Sequence, residues 1–247
     1  TDKRKPDSNA SRALIRIINP ITKSMRNVGI TMTTKLQGKV VCVALNDKEQ
    51  LERMKGDFEQ APYANLPTQP VLYFKPHNTW NNEGLAIEWP QGNEKLVVGA
   101  SLAVIIGEQC CRVEEDKAMD YVEGIALLHD FSLPEKSYYR PDIKGKCIDN
   151  SATLSTPVSV SDLNNIDQLE LVTKVNGEEQ QRFPIRRQQR SIAQLINKIS
   201  YIMTLEKGDV IAVGFAGDRI ELTPDAEVTS ELGNVLALSN IVTGVKA

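Results

Sequence analysis

A few side chains in this 247-residue chain are of the types that do chemistry. Asp130 ends an apolar run and directly follows His129. Carboxylate and imidazole both bind metal ions. A lone His in an apolar strand, however, is more often packed and hydrogen-bonded than metal-bound. Asp130 beside Phe131-Ser132 has an equally plain alternative as a hydrogen-bonding acid. Lys146, in Lys144-Gly145-Lys146, offers a cation suited to a developing enolate or carboxylate, or else an exposed charge in a turn. Glu88, Asp149 and His77 complete the residues from which a divalent-cation site could be assembled.

These side chains need elements to hold them. Leu96 to Gly107 is an apolar strand, followed by a polar stretch, Glu114 to Val122, that reads as a helix. A second apolar run ends at His129-Asp130, and the stretch closes on Lys146-Cys147-Ile148-Asp149. Upstream, Lys39 to Leu45 is β-branched and bounded by Gly38 and Asn46, which predicts a strand. Asp47 to Phe58 places Leu51, Met54 and Phe58 on one face of a helix. Prolines 62, 67 and 70 mark a loop, and Val71 to Pro76 is another strand. Downstream, Asn176-Gly177 after the alternating run Leu169 to Val175 signals a hairpin. Apolar residues at 192, 195, 196, 199 and 202 predict a helix over Ser191 to Met203. Gly208-Asp209 then turns into the strand Val210 to Gly214.

This order of strand, helix, strand, Asp and Lys resembles the core of the fumarylacetoacetate hydrolase family, over most of residues 38–215. The block Ser132-Leu133-Pro134-Glu135-Lys136-Ser137-Tyr138-Tyr139-Arg140-Pro141 is similar to the N-terminal half of that family's two-repeat decarboxylase/isomerases of 4-hydroxyphenylacetate (homoprotocatechuate) breakdown. The resemblance implies a mixed α/β, mainly β fold, a β-rich roll with a few flanking helices. It also implies a Mg2+ or Mn2+ ion held by a Glu-x-Glu pair on a strand and by a later Asp. On this chain the two glutamates fall at Gly99 and Ser101, and Asp130 matches the third ligand. One carboxylate holds a strongly hydrated ion poorly, so the metal is expected to be absent or weakly bound. Lys146 matches the family lysine that contacts substrate oxygens. The family's lid His and Glu fall near Gln50 and Arg53, after Asn46. Neither is a base at neutral pH. The family's Thr-Gly-Thr-Pro turn reads Val213-Gly214-Phe215-Ala216, and Phe215 is expected to fill space a substrate needs.

A net charge of −3 gives no general pull toward nucleic acid or an anionic membrane. No apolar run reaches the roughly 18 residues of a spanning helix. Cys42, Cys110, Cys111 and Cys147 form no CxxC pair, and with no visible secretory signal the expectation is free thiols in a cytoplasmic protein. Residues 1–31 read as a flexible N-terminal extension, 32–68 as a small lid-bearing region and 69–247 as the fumarylacetoacetate hydrolase-like domain.

Three functions follow from the resemblance. The first is a subunit with a degenerate metal site, weak or silent alone. It would act in decarboxylation and isomerisation of unsaturated keto-dicarboxylates, as a homodimer or a heteromer with a metal-bearing family paralogue. The second is an active metal-dependent hydrolase or isomerase with a site rebuilt from Glu88, Asp130, Asp149 and His77. The third is a non-catalytic module binding a small carboxylate over Lys146. With two of three ligands and the lid pair missing, enzyme or not is left open.

Overall fold

Long runs of Val, Ile, Leu and Ala can be buried on both faces only when each face has its own cover. A computed structural model shows how this is arranged; it describes residues 38–244 except 83, 93, 94, 136 and 164. The strands are β1 (Val40–Ala44), β2 (Val71–Lys75), β3 (Trp80–Asn81), β4 (Ile87–Glu88), β5 (Leu96–Ile106), β6 (Val122–Ser132) and β7 (Ala152–Leu154). They continue with β8 (Glu170–Val175), β9 (Glu178–Pro184), β10 (Val210–Phe215), β11 (Ile220–Leu222), β12 (Glu227–Leu232) and β13 (Leu236–Thr243). The α-helices are α1 (Lys48–Arg53), α2 (Lys55–Phe58), α3 (Ile143–Lys146) and α4 (Ile192–Ile202).

Among the described residues the strands form two sheets. The larger runs β2-β1-β10-β5-β6-β7-β3, with β11 also paired to β5; the smaller runs β4-β13-β12-β8-β9. Fold class is therefore mainly β with few helices, as the resemblance implied. One face of the larger sheet carries Val41, Val43, Leu102, Val104, Leu127 and Ile211 into a core shared with α4 and the smaller sheet. Helix α4 presents Ile192, Leu195, Ile196 and Ile199 to that core, and Ser191 and Gln194 close a capping box at its start.

Two helices differ from expectation. The stretch 114–122 is a 3-10 helix, Glu115–Tyr121, with only Ala118 buried and no side-chain cap. A single small anchor and no cap give little to sustain α-helical turns. The run 47–58 divides at Met54 into α1 and α2. Gly56 lies in the second piece, where its backbone freedom weakens a continuous helix. The Asn176-Gly177 hairpin forms, both residues having positive φ. The extension expected over residues 1–31 lies outside the described residues.

Candidate functional site

The register of the larger sheet gathers the candidate residues. Gly99 pairs with Asp130 and Ser101 with Leu128 across β5 and β6. Directly opposed residues share a face of the sheet. A bulge in β10 between Ala212 and Phe215 brings Phe215 opposite Ser101. On the other flank, β1 pairs Cys42 with Tyr73 and Val40 with Lys75. Gly99, Ser101, Asp130, Phe215, Tyr73 and Lys75 thus meet on the face turned away from α4.

Asp130 is the centre of a charged cluster. Its side chain is fully buried, as is that of Lys75, whose Nζ lies 2.9 Å from Asp130 Oδ1. Arg219 Nη1 is 3.0 Å from Oδ2 and Lys146 Nζ 3.9 Å from it. The Tyr73 hydroxyl donates to Oδ2 at 2.6 Å. Burial alone would raise the Asp130 pKa, but the cations of Lys75, Arg219 and Lys146 pull it well below the usual carboxylate range. Tyr73 moves the other way: burial and the Asp130 charge push its hydroxyl well above its ordinary value.

Arg219 enters from the loop after β10. Its guanidinium stacks on Phe215, 4.1 Å from the ring centroid, and donates to the Tyr73 hydroxyl and to the Asp130 carbonyl. The space it takes is that of a missing side chain. A Cβ at Gly99 would lie 2.7 Å from Arg219 Cζ and 2.8 Å from its Cδ, inside any real contact distance. Phe215 lies under this guanidinium as its floor. The Ser101 hydroxyl is turned into the sheet; it donates to the Leu102 carbonyl and accepts from Gly214 N–H.

Lys146 is not an exposed turn charge. Its side chain is 5% exposed, at the end of α3, with Nζ 3.2 Å from Glu135. Burial, then the Arg219 charge, lower its pKa. Its carbonyl accepts from Lys75 Nζ at 2.7 Å. Lys75 also donates to Ser151 Oγ and the Phe131 carbonyl, so this buried ammonium is well satisfied.

Helix α1 closes over one side. Gln50 Nε2 donates to the Tyr138 hydroxyl, and Arg53 pairs with Asp218. Asp47 accepts both arms of the Arg187 guanidinium. Asn46 is tied to the Val213 and Arg190 carbonyls.

The other candidate ligands are engaged elsewhere. Asp149 accepts from Asn78, His77 packs on Trp80, and Glu88 is on β4 of the smaller sheet. His129 faces the opposite side from Asp130, bonded to Asn240 and Ser230. Among the described residues, no three His, Cys, Asp or Glu side chains converge as a metal cradle. All four cysteines are free.

The sequence reading singled out Asp130 and Lys146 but missed Lys75, Tyr73 and Arg219. Lys75 carried a signal: a charge at a strand position that shares parity with Tyr73. Arg219 carried none, since nothing local joins it to a residue 89 positions away.

Comparison with known proteins shows which family carries this fold. Residues 39–243 match the fumarylacetoacetate (FAA) hydrolase C-terminal family. The chain is 38% identical, over 193 residues, to the 4-hydroxyphenylacetate degradation bifunctional isomerase/decarboxylase of Escherichia coli, covering 78% of this chain and 44% of that protein. It thus spans about half the length of these curated relatives. It is 30% identical over 211 residues to a mitochondrial oxaloacetate tautomerase of Bos taurus, covering 81% of this chain and 89% of the relative. Among solved structures, the 5-carboxymethyl-2-hydroxymuconate delta-isomerase of Mycobacterium smegmatis superposes with a TM-score of 0.73 at 25% identity, covering 86% of this chain and 81% of that one. Fumarylpyruvate hydrolase of Pseudomonas aeruginosa, solved with Mn2+ and pyruvate, shares the fold with a TM-score of 0.69 at 21% identity, covering 83% of this chain and 89% of that one.

Proposed function

The chain belongs to the fumarylacetoacetate hydrolase family, and from that premise we propose that it is a subunit of the 4-hydroxyphenylacetate isomerase/decarboxylase type, silent alone in metal-dependent chemistry. Its place would be beside a second family domain, an identical copy or a metal-bearing paralogue, acting on unsaturated keto-dicarboxylates. The 38% identity to the isomerase/decarboxylase of Escherichia coli, of which this chain covers 44%, supports the kinship on which this reading rests.

One observation carries the silent half of the proposal. A divalent cation does not fit these residues. Two of the three ligand positions, Gly99 and Ser101, offer no carboxylate, and Asp130 is already paired with Lys75 and Arg219. A metal arriving here would meet two resident cations within about 3 Å of its one carboxylate, and like charges that close in a buried site repel strongly. No metal-dependent step is therefore assigned to this chain. Its residues instead hold the sheet face closed: Phe215 and Arg219 cap it, and Gln50 and Tyr138 bridge it from α1.

The test is turnover. The purified chain with Mg2+ or Mn2+ is offered an unsaturated keto-dicarboxylate, and no product above background is expected. Metal-dependent turnover that Asp130→Ala abolishes would overturn the reading.

A further inference from the structure

Lys48, Glu52, Lys55 and Glu59 line one groove of about 540 Å3 along α1 and α2. All four are exposed, whereas Gln50 of α1 is buried against Tyr138. Along the groove their charges alternate, and their spacings are four, three and four residues. The spacing is the same read from either end, while the signs are exchanged. Such a strip is its own complement. Turned end for end by a two-fold axis, Lys48 faces Glu59 of a second copy and Glu52 faces Lys55. Within one copy the strip gains little: Lys55 and Glu52 are 3.9 Å apart and mostly exposed, and such pairs are weak in water.

Apolar side chains accompany the charges. Leu51 and Phe58 line the same groove, Phe58 being 3% exposed, and Leu66 stands at its edge, 51% exposed. The loop that carries Leu66 is pinned on both sides. Ala64, at φ 64°, donates its N–H to the Gln60 carbonyl, and the Pro67 carbonyl accepts from Arg190. A single exposed leucine is ordinary on a protein surface. This one is held out beside an apolar groove and a self-complementary charge strip, so each copy offers both a knob and a hole. An isologous pair uses both at once, each surface meeting its own likeness.

We propose that this groove is a homotypic docking surface, on which a second copy of the chain seats antiparallel with its Leu66 in the groove. The surface is small, so the pairing is weak and concentration-dependent. It gives the identical-copy alternative above a place to meet and does not rest on the absence of a metal.

Sedimentation velocity of the full chain over a concentration series tests it. The wild-type mass should rise with concentration toward twice its value at high dilution, and less so in high salt. Lys48→Glu/Lys55→Glu makes the strip wholly acidic, and Glu52→Lys/Glu59→Lys makes it wholly basic. Each double variant alone should associate at least about tenfold more weakly than wild type, and an equimolar mixture should regain wild-type association. Leu66→Asp should weaken association by a similar factor. Recovery in the mixture shows that neither double variant is misfolded. A wild-type mass that does not change with concentration, variants that associate as wild type does, or a mixture no tighter than its components overturns the inference. The silent-subunit reading stands in each case.

Discussion

At Gly99 the absence of a side chain does as much as any side chain present. Its missing Cβ leaves room for the Arg219 guanidinium, which then lies on Asp130. Gly99→Ala should therefore destabilise the fold by about 1–3 kcal/mol through overpacking, measured by urea unfolding. In an Arg219→Ala background the same change should cost clearly less, because its collision partner is gone. Equal costs in both backgrounds would mean that the guanidinium does not occupy this space. Asp130 is the other pivot. Asp130→Asn keeps the shape but strands Lys75 and Arg219 in a buried site, and a loss of about 3–5 kcal/mol is expected. A change below about 1 kcal/mol would show that the cluster is not held by its carboxylate. The sequence made half of this visible. The resemblance to the family placed Gly99, Ser101 and Asp130 together, and in the sheet Gly99 pairs with Asp130 while Ser101 is two residues along the same strand. Arg219 could not be placed, because its partnership depends on a bulge in β10 and on a loop whose path no local periodicity encodes.

At the scale of elements, the opposite face of β6 shows how the two sheets are joined. His129 is buried and bridges them, Nδ1 to Asn240 on β13 and Nε2 to Ser230 on β12. Thr153 and Thr173 extend the network to β7 and β8. The sequence suggested a packed, hydrogen-bonded imidazole here, and that is what the fold holds. Burial depresses the His129 pKa from 6.5 to about 4, with the Asn240 bond opposing the shift. The unfolded chain therefore takes up this proton first as pH falls. The contribution to stability is complete above about pH 6.5 and is lost between there and about pH 4, amounting to about 3 kcal/mol. Urea unfolding of wild type should show this decline, and His129→Gln should be less stable at pH 7 but flatter across that window. Parallel pH profiles would contradict a neutral, buried imidazole. Elements were otherwise legible where periodicity was long, as in α4, β5 and β8. They were less so where few anchors were involved, as in the 3-10 helix at 115–121 and the divided helix at 48–58.

For the whole molecule, the family's scaffold is present, and the proposed reading is that its centre has been recomposed. Strand order and register still bring positions 99, 101 and 130 together, yet the charges placed there are an arginine and two lysines around a single acid. On that reading a metal site can be built in a few steps: Gly99→Glu and Ser101→Glu add two acids, and Arg219→Ala clears the space between them and Asp130. The most direct measurement is a Mn2+ titration followed by electron paramagnetic resonance, on wild type and on this triple variant. The wild-type chain should leave the free Mn2+ signal undiminished at micromolar concentrations, while the triple variant should remove about one equivalent. One tightly held Mn2+ per wild-type chain, lost in Asp130→Ala, would contradict the claim that the protein's own side chains have taken the metal's place.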